Sequence, residues 1–401
     1  MIDQQLFLLP GSTLCYVLLA VALIAAVYVL VVTTPRLNRI VRASLLKQES
    51  DYSDVSGLRN PPVTVVVISH SDTRHLKQLL TDILSQDYDA PYEVVVVNDD
   101  SHSHADDIVR ELQLVHSNLF ITFLPDGTRS LSRRKLAVTL GVKAAHYDCL
   151  LLTVGNCAVQ SPLWLKTMAR HFSDPSVEVV IGYARLCGND GSADSGRGRR
   201  LRTFDRVRSA LVWISAALGG RPVRGTACNL AYRRSLFFDH KGFSSALHLN
   251  YGDDDLFVSE IATSDNCVAE ISPDAVVCRR ESDSAYAHRT ESIRREFTSS
   301  MLRRAPFRLM GSVSVGMWVW LLASVASIAE GFPSIVPLCV ALLIGAGLTV
   351  TLSLRWRKAC MALEGRPQGG SVVFCLLLQP WRTIRRRIAA HRRRRSNFTW
   401  G

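Results

Sequence analysis

The 401-residue sequence predicts an α/β fold, in which a mostly parallel sheet carries helices on both faces, together with transmembrane helices. Two observations predict this architecture. Runs of mostly apolar residues typical of buried strands, at 63–68 and 94–97, are separated by a segment of helical period, which is the order of a right-handed βαβ unit. Three longer apolar runs, at 14–33, 311–329 and 334–354, have roughly the length needed to span a membrane.

The apolar run at 14–33 is expected to be a membrane anchor rather than a signal peptide. It is longer than the apolar core of a signal peptide, and residues 1–5 contain no lysine or arginine. Four basic residues follow within 36–47, so the positive-inside rule predicts a cytoplasmic downstream domain in a multi-pass membrane protein. The ten cysteines form no C-x-x-C pair, which argues against a zinc site, and scattered reduced thiols favour the same cytosolic side.

The second predicted strand ends in a group of polar side chains. Residues 94–97 are four valines, and Asn98, Asp99, Asp100 and Ser101 follow them. In open α/β sheets, ligands bind just beyond the carboxyl ends of strands, so these acids are placed to meet a base, a ribose or a metal. The alternative is a strand capped by turn-forming Asn and Asp.

The remaining elements complete the sheet and surround a second acidic segment. In chain order we expect a helix at 76–83, a helix at 136–145, strands at 149–153 and 177–182, a surface loop at 188–200, an apolar helix at 207–218 and a charged helix at 284–304. Ahead of the charged helix, Gly252 is followed by Asp253, Asp254 and Asp255. These carboxylates suit either a functional site or the start of a helix, where they complement the helix dipole.

The C-terminal part of the chain is strongly basic. Residues 382–395 contain eight arginines and no acid, and subtracting them from the formal charge of +12 leaves +4 for the rest. Polybasic stretches next to membrane segments more often bind anionic lipids, so membrane lipids are the expected partner of this tail. Nucleic acid is the weaker alternative, because the tail has few aromatic side chains for base stacking. Residues 372–378 are too short to cross a membrane and, with Trp381, resemble an interfacial amphipathic segment.

The predicted organisation follows from these segments. It consists of an anchor at 1–35, a linker at 36–61, a cytoplasmic domain at 62–305, two membrane helices at 306–356, and an interfacial segment with a polybasic tail at 357–401.

Four stretches of the cytoplasmic domain together resemble a known family. They are YEVVVVND at 92–99, KLAVTLG at 135–141, NLAYRRSLFF at 229–238 and GDDDLFV at 252–258. In this order and spacing they resemble the family 2 glycosyltransferases of GT-A fold, most closely membrane-anchored members from Bacteroidetes-type bacteria. The resemblance covers about three fifths of the chain. It implies transfer of a sugar, with inversion, from a nucleotide-sugar donor to a lipid-linked or envelope-glycan acceptor.

The resemblance also implies roles for individual residues. An inverting transfer needs a carboxylate to deprotonate the acceptor hydroxyl, and the match assigns this role to Asp253, with Asp254 as the next candidate. Arg294 and Arg295 are expected to meet the diphosphate. Binding of the nucleotide-sugar is assigned to Ser69, Asp72, Asp99, Lys135, Asn156 and Asn229.

Two family motifs are altered in this chain. The third strand is expected to end in Asp-x-Asp, which holds a magnesium or manganese ion and the sugar diphosphate, but residues 154–156 are Val-Gly-Asn. A single amide oxygen at Asn156 is a poor site for either ion, so no metal ligand is assigned. The family's Gln-x-x-Arg-Trp motif is also absent, and residues 292–297 read Ser-Ile-Arg-Arg-Glu-Phe.

Two functions therefore remain open. In the first, the protein is a working transferase that neutralises the diphosphate with arginines, for which Arg133, Arg134, Arg294 and Arg295 are the candidates. In the second, it is a degenerate transferase fold that binds a sugar nucleotide or a partner enzyme without chemistry. The missing Asp-x-Asp favours the second function, and the retained acidic segment favours the first.

Overall fold

The computed structural model describes residues 12–50, 60–69, 73–99, 104–125, 132–188, 198–280, 285–302 and 305–393. Its contacts divide the chain into two units. The first consists of Met1–Val41, Arg200–Val212 and Ala305–Arg385, and the second of Arg42–Arg199, Trp213–Arg304 and Arg386–Gly401.

The described secondary structure is mixed α and β. The strands are β1 Val63–Ser69, β2 Tyr92–Asn98, β3 Leu119–Phe123, β4 Cys149–Val154, β5 Cys157–Val159, β6 Val179–Gly182, β7 Ala184–Cys187, β8 Leu230–Arg233, β9 Cys267–Glu270 and β10 Val277–Arg280. The helices are α1 Thr13–Ser50, α2 Leu76–Leu84, α3 Ala105–Gln113, α4 Arg133–Ala144, α5 Trp164–Ala169, α6 Arg199–Ala217, α7 Arg234–Asp239, α8 Asp255–Ile261, α9 Ala285–Ser299, α10 Ala305–Gly331, α11 Val336–Glu364 and α12 Val372–Arg393.

The second unit is built on a mostly parallel sheet, as the sequence predicts. The strand order is β3-β2-β1-β4-β8-β6-β9, and β3, β2, β1 and β4 run parallel to one another. Strand β8 runs antiparallel to both its neighbours. Every residue of β1 and β4 is buried, which explains their unbroken apolar sequences. Ser69 pairs with Asn98, and Ile68 with Val154, so the carboxyl ends of three strands meet at one edge.

A small second sheet was not predicted from the sequence. Its order is β5-β10-β7, with β10 antiparallel to β5 and parallel to β7. Its strands have only three or four residues, too few to show a period in the sequence. Cys187 and Cys278 lie side by side in this sheet, with Cα atoms 5.8 Å apart, a separation that permits a disulfide.

The first unit contains three helices that are long and apolar enough to cross a membrane. These are Thr13–Leu45, Arg308–Gly331 and Val336–Glu364. Helix α1 continues to Ser50, so the first part of the expected linker at 36–61 is helical.

Helix α6 begins at Arg199, earlier than the predicted start at residue 207. Arg206 in its first half is buried and binds Glu364 through two hydrogen bonds, Nε–Oε1 at 3.0 Å and Nη2–Oε2 at 2.8 Å. The ring of Phe204 stacks on Trp356, with centroids 5.1 Å apart. The sequence pattern missed this start because a buried arginine counts as polar until its partner is known. Of the expected loop at 188–200, residues 189–197 lie outside the described part of the chain.

Helix α12 is longer than the seven residues whose apolar run marked it in the sequence. It has 22 residues, and its large apolar side chains at Phe374, Leu378, Trp381, Ile384 and Ile388 are exposed. Their spacing places them on one face of the helix. Arg382 of this segment is largely buried and pairs with Asp205, whereas Arg387 is exposed and pairs with Glu296.

Gly141 provides a test of how α4 packs on the sheet. A Cβ at this position would lie 2.4 Å from Val66 Cγ1 in β1 and 3.0 Å from Val97 Cγ2 in β2. Gly141→Ala is therefore expected to destabilise the protein by about 1–3 kcal/mol through overpacking. Gly347→Ala in α11 meets no atom within 4 Å and is the matched control, expected to be neutral or slightly stabilising. The midpoint of thermal unfolding of the detergent-purified protein measures the stability of both variants. Equal midpoints for Gly141→Ala and Gly347→Ala would contradict the close packing at Gly141.

Candidate functional site

The acidic segment is turned into the protein at Gly252. This glycine has a φ of +103°, and a Cβ there would lie 2.5 Å from Leu256 Cδ1, so only glycine fits the turn. The three carboxylates that follow, Asp253, Asp254 and Asp255, are all buried. Buried carboxylates require compensation by hydrogen bonds or positive charge, so their partners indicate what each one does.

Two of the three carboxylates have structural contacts. Asp255 accepts hydrogen bonds from Arg224 Nη2 at 2.8 Å and from the Leu256 amide at 2.9 Å. Asp254 accepts from the Asp255 amide through Oδ1 at 2.8 Å and from the Ala227 amide through Oδ2 at 3.3 Å. Asp254 therefore caps α8 and ties it to the loop before β8.

Asp253 has a different environment. Its Oδ2 accepts a hydrogen bond from Arg134 Nε, whereas its Oδ1 is buried and has no hydrogen-bond partner among the described residues. The Asp253 side chain is fully buried and that of Arg134 is 20 % exposed, so the arginine lies on the solvent side of this pair. Asp253 thus keeps one carboxylate oxygen unused.

The surroundings move the pKa values of these two carboxyl groups in opposite directions. Burial raises the pKa of Asp253, and the attraction of Arg134 offsets this only in part. Burial also acts on Asp254, but Arg294, Arg134 and Arg224 outweigh it and hold the pKa of Asp254 below its ordinary value. Asp253 is therefore the carboxylate better suited to take up a proton, and Asp254 the one held in its charged form.

A basic cluster lies beside the acidic segment and is centred on Glu291 of α9. This carboxylate is 3.7 Å from Arg279 Nη1, 3.6 Å from Arg294 Nη1 and 3.2 Å from Arg295 Nε. Burial opposes its charge, but the arginines hold the pKa of Glu291 well below its ordinary value. Arg294 Nη2 also lies 3.6 Å from Asp254 Oδ1, and this contact joins the two groups.

The sequence analysis did not single out Glu291 or Arg279. A signal for Glu291 existed, since it stands three and four residues before Arg294 and Arg295, the spacing of ion pairs on one helix face. Arg279 had no comparable signal because its strand was not predicted. Of the two arginines expected to meet the diphosphate, Arg294 lies 3.6 Å from Asp254 of the acidic segment, and Arg295 contacts Glu291 on its own helix.

The ends of three parallel strands converge as predicted from the sequence. The Asp99 amide donates to Ser69 O at 3.2 Å, and the Gly155 amide donates to Ile68 O at 2.9 Å. Arg133 donates a hydrogen bond to the Asp99 carbonyl. Ser69, Asp99 and the turn at 154–156 therefore form one rim. Asp72, which was also assigned to binding of the nucleotide-sugar, lies outside the described residues.

Asn156 stands where the family's metal pair would end, and its surroundings do not suit a divalent cation. The Asn156 side chain donates through Nδ2 to Arg280 O at 3.1 Å, and the Asn156 backbone carbonyl accepts from the Arg280 amide at 2.8 Å. Only Oδ1 is left, buried and without a partner among the described residues. Magnesium and manganese need several oxygen ligands, and the described residues contain no group of three or more metal-binding side chains.

Lys135 and Asn229 have contacts inside the protein. Lys135 Nζ donates to the carbonyl oxygens of Ala246 and Leu249, and burial lowers the pKa of Lys135 to about 8. Asn229 donates through Nδ2 to the carbonyl oxygens of Tyr183 and Ala275, at 3.0 and 2.7 Å, and its Oδ1 accepts from Trp164 Nε1 at 3.2 Å. Lys135 therefore fastens the loop before Gly252, and Asn229 joins strands and helices of the core.

Residues 61–260 match the family model described as glycosyltransferase like family 2. No curated protein matches the sequence. Among solved structures, the mannosyltransferase PcManGT from Pyrobaculum calidifontis, in complex with GDP-Man and Mn2+, is similar with a TM-score of 0.51 and 17% identity, over 90% of this chain and 99% of that chain. This likeness concerns the fold.

Two further structures match with lower TM-scores. TarS 1-349 from S. aureus has a TM-score of 0.38 and 15% identity, over 82% of this chain and 89% of that chain. GalNAc-T7 with UDP, GalNAc and Mn2+ has a TM-score of 0.39 and 13% identity, over 59% of this chain and 51% of that chain.

The opposite pKa directions predict different pH behaviour for Asp254 and Asp253 variants. Asp254→Asn is expected to cost about 1–3 kcal/mol near neutral pH, because it removes the negative charge beside Arg294 and replaces the oxygen that accepts from the Ala227 amide with an NH2 group. The stability that Asp254 contributes is present above its unfolded-state pKa of about 4 and is lost as the pH falls through its lower folded-state pKa. The difference from wild type should therefore shrink in acid.

Asp253→Asn is the matched comparison. Because the pKa of Asp253 is raised on folding, its charged form opposes folding near neutral pH, and we expect this variant to lose less stability than Asp254→Asn. Unfolding midpoints of wild type and both variants between about pH 2 and 7 test both expectations. A larger loss for Asp253→Asn than for Asp254→Asn would contradict the assignment of the two carboxylates.

Proposed function

Because the chain belongs to the family 2 glycosyltransferases, we propose that it transfers a sugar from a nucleotide-sugar donor to an acceptor hydroxyl, with inversion and with Asp253 as general base. The observation that carries this proposal is the unused Oδ1 of Asp253 in a carboxylate of raised pKa. A base must accept a proton during the reaction, and a fully bonded carboxylate of lowered pKa, such as Asp254, is poorly suited to that task.

In the proposed reaction, the acceptor oxygen bonds to the anomeric carbon of the sugar while the bond from that carbon to the diphosphate oxygen breaks. The proton of the acceptor hydroxyl passes to Asp253 Oδ1, and the nucleoside diphosphate leaves with the electron pair. Arg134 lies on the solvent side of Asp253, so transfer requires its guanidinium to turn away from the carboxylate. The negative diphosphate of a bound donor supplies the attraction for that movement.

The rim formed by the strand ends is the proposed donor site. Ser69 and Asp99 lie at the carboxyl ends of β1 and β2, where nucleotides bind in sheets of this topology. The unpartnered Oδ1 of Asn156 is an acceptor and suits a sugar hydroxyl. The bound GDP-Man of the similar mannosyltransferase supports a nucleotide-sugar as the donor class.

A second candidate function is a degenerate transferase that serves as a binding or scaffolding subunit. The observation in its favour is the turn at 154–156, where an apolar valine and a neutral amide replace two carboxylates. The two candidates differ in one measurement, since only a working transferase releases nucleoside diphosphate when donor and acceptor are both supplied.

We further propose that the protein works at the bacterial inner membrane, with its second unit in the cytoplasm and a lipid-linked or envelope-glycan acceptor. The three helices of spanning length support membrane attachment, and the basic residues at 36–47 support the cytoplasmic side. The exposed apolar face of α12 and the arginines that follow Trp381 fit the interface of an anionic bilayer.

Asp253→Asn is expected to lower transfer by more than about a hundredfold, because it removes the proton acceptor. Nucleoside diphosphate binding should stay within about twofold of wild type, since the carboxylate is not assigned to the donor. Release of nucleoside diphosphate from UDP- and GDP-sugars, with lipid extracts as acceptor, measures the first quantity, and calorimetry the second. Glu111→Gln, an exposed acid paired with Lys77, is the control. Unchanged turnover in Asp253→Asn would exclude Asp253 as the base.

If α12 binds anionic lipid, the double variant Arg385→Ser/Arg392→Ser should bind anionic vesicles more weakly than wild type. Each arginine near an anionic surface contributes about 1 kcal/mol, so the double variant should bind about thirtyfold more weakly to anionic vesicles. Arg110→Ser/Lys166→Ser changes the net charge equally at exposed positions of the second unit and should have little effect. Vesicle flotation with anionic and neutral lipid measures both. Equal binding of wild type to the two lipids would exclude this partner.

A further inference from the structure

Strand β10 carries a positively charged side chain, Arg279, close to the turn at 154–156, which stands in place of the family's Asp-x-Asp motif. In the β5–β10 pairing, Arg279 stands opposite Cys157, the residue directly after Asn156. The neighbouring Arg280 amide donates to Asn156 O at 2.8 Å, so β10 is fastened to the turn itself. Opposite residues in an antiparallel pair have Cα atoms about 4.5–5.5 Å apart, which places Arg279 next to the turn at 154–156.

The guanidinium of Arg279 faces the candidate site. Its Nη1 is 3.7 Å from Glu291 Oε1, and its side chain is 23 % exposed. Its positive charge also favours the ionised form of two buried thiols near the turn, Cys157 and Cys228. A hydrogen bond from the Cys157 thiol lowers the pKa of Cys228, and the positive charges of Arg279 and Arg134 contribute in the same direction. Arg279 therefore lies within electrostatic reach of both ends of the site.

Arginines outnumber carboxylates around Glu291. Three of them, Arg279, Arg294 and Arg295, surround this one carboxylate, which is held in its charged form. Arg294 is shared with Asp254, and the acidic segment, Asp253, Asp254 and Asp255 with Arg134 and Arg224, has a charge of −3 + 2 = −1. The site thus has a basic part next to the turn and an acidic part at the proposed base.

We infer that Arg279 and Arg294 take the place of the divalent cation, so that the site binds the donor's diphosphate without a metal ion. This inference rests on the proposed function. Guanidinium groups bind phosphate oxygens in a bidentate manner and keep their charge at any physiological pH, so they neutralise a leaving diphosphate as a metal would. Arg294 approaches its two carboxylates only to 3.6 Å, longer than a charge-assisted hydrogen bond, which allows a phosphate to compete for it.

Glu291 is a positioning residue in this arrangement. It contacts arginines from both β10 and α9, and its position between Arg279 and Arg294 keeps two like charges close together. Without a shared carboxylate these guanidinium groups would repel each other. The carboxylate therefore preorganises the pair for an anion, as second-layer groups orient the ligands of a metal.

The test is calorimetric binding of UDP and GDP to the detergent-purified full-length protein, first with manganese and then with EDTA. We expect the same affinity within about twofold under both conditions for wild type. Arg279→Gln is expected to bind about tenfold or more weakly, since it loses charge-assisted hydrogen bonds to phosphate. Arg279→Lys keeps the positive charge but lacks the planar guanidinium that binds two phosphate oxygens. Its affinity should therefore lie between those of wild type and Arg279→Gln. Arg185→Gln on the neighbouring strand β7 is the control and should bind as wild type does.

Each other outcome overturns the inference in a distinct way. Binding that appears only with manganese would show that a metal site exists, and would leave the proposed transferase function standing. If Arg279→Gln and Arg185→Gln weakened nucleotide binding equally, the loss of affinity would reflect only the change in net charge. No binding of either nucleotide to a folded wild-type protein would overturn the inference and the proposed function together. The unfolding midpoint of Arg279→Lys, close to that of wild type, checks that the strand still forms.

Discussion

Four carboxylates are buried or largely buried at the candidate site, and each has at least one arginine partner from another segment of the chain. Asp253 pairs with Arg134 of α4, Asp255 with Arg224, and Glu291 with Arg279 of β10, while Asp254 lies between Arg134 and Arg294. Removing one partner of such a pair leaves the other charge without compensation. The helices and strands around the site are therefore constrained to one arrangement, because any displacement would separate several of these pairs.

The same constraint divides the site into parts of opposite character. Asp253 keeps one unused oxygen, while both oxygens of Asp254 accept from backbone amides, one at the start of α8 and one in the loop before β8. Arginines exceed carboxylates around Glu291, and carboxylates exceed arginines around Asp253. A transfer reaction needs both conditions at once, since the acceptor must lose a proton near a negative group and the diphosphate must leave near positive ones. In the proposed reaction, neighbouring side chains provide both.

Short strands and backbone contacts position these groups. The turn at 154–156 is tied to β1 through Gly155 and to β10 through Asn156, while Lys135 fastens the loop before Gly252 to α4. These contacts connect segments more than 80 residues apart in the chain. Two side chains from the sequence list, Lys135 and Asn229, are used in this supporting framework, and their polar groups act on the protein itself.

The sequence by itself determined the fold class, the strands β1, β2 and β4, the long apolar helices and the presence of an acidic segment, because each of these is written in a local period or run of residues. It also placed Ser69, Asp99 and Asn156 at strand ends that meet. It did not distinguish Asp253 from Asp254, since the difference depends on Arg134 and Ala227, which lie far away in the chain. The early start of α6 and the role of Arg279 were likewise decided by tertiary structure. Charged residues are polar in any sequence pattern, and only the folded chain supplies the partners that allow them to be buried.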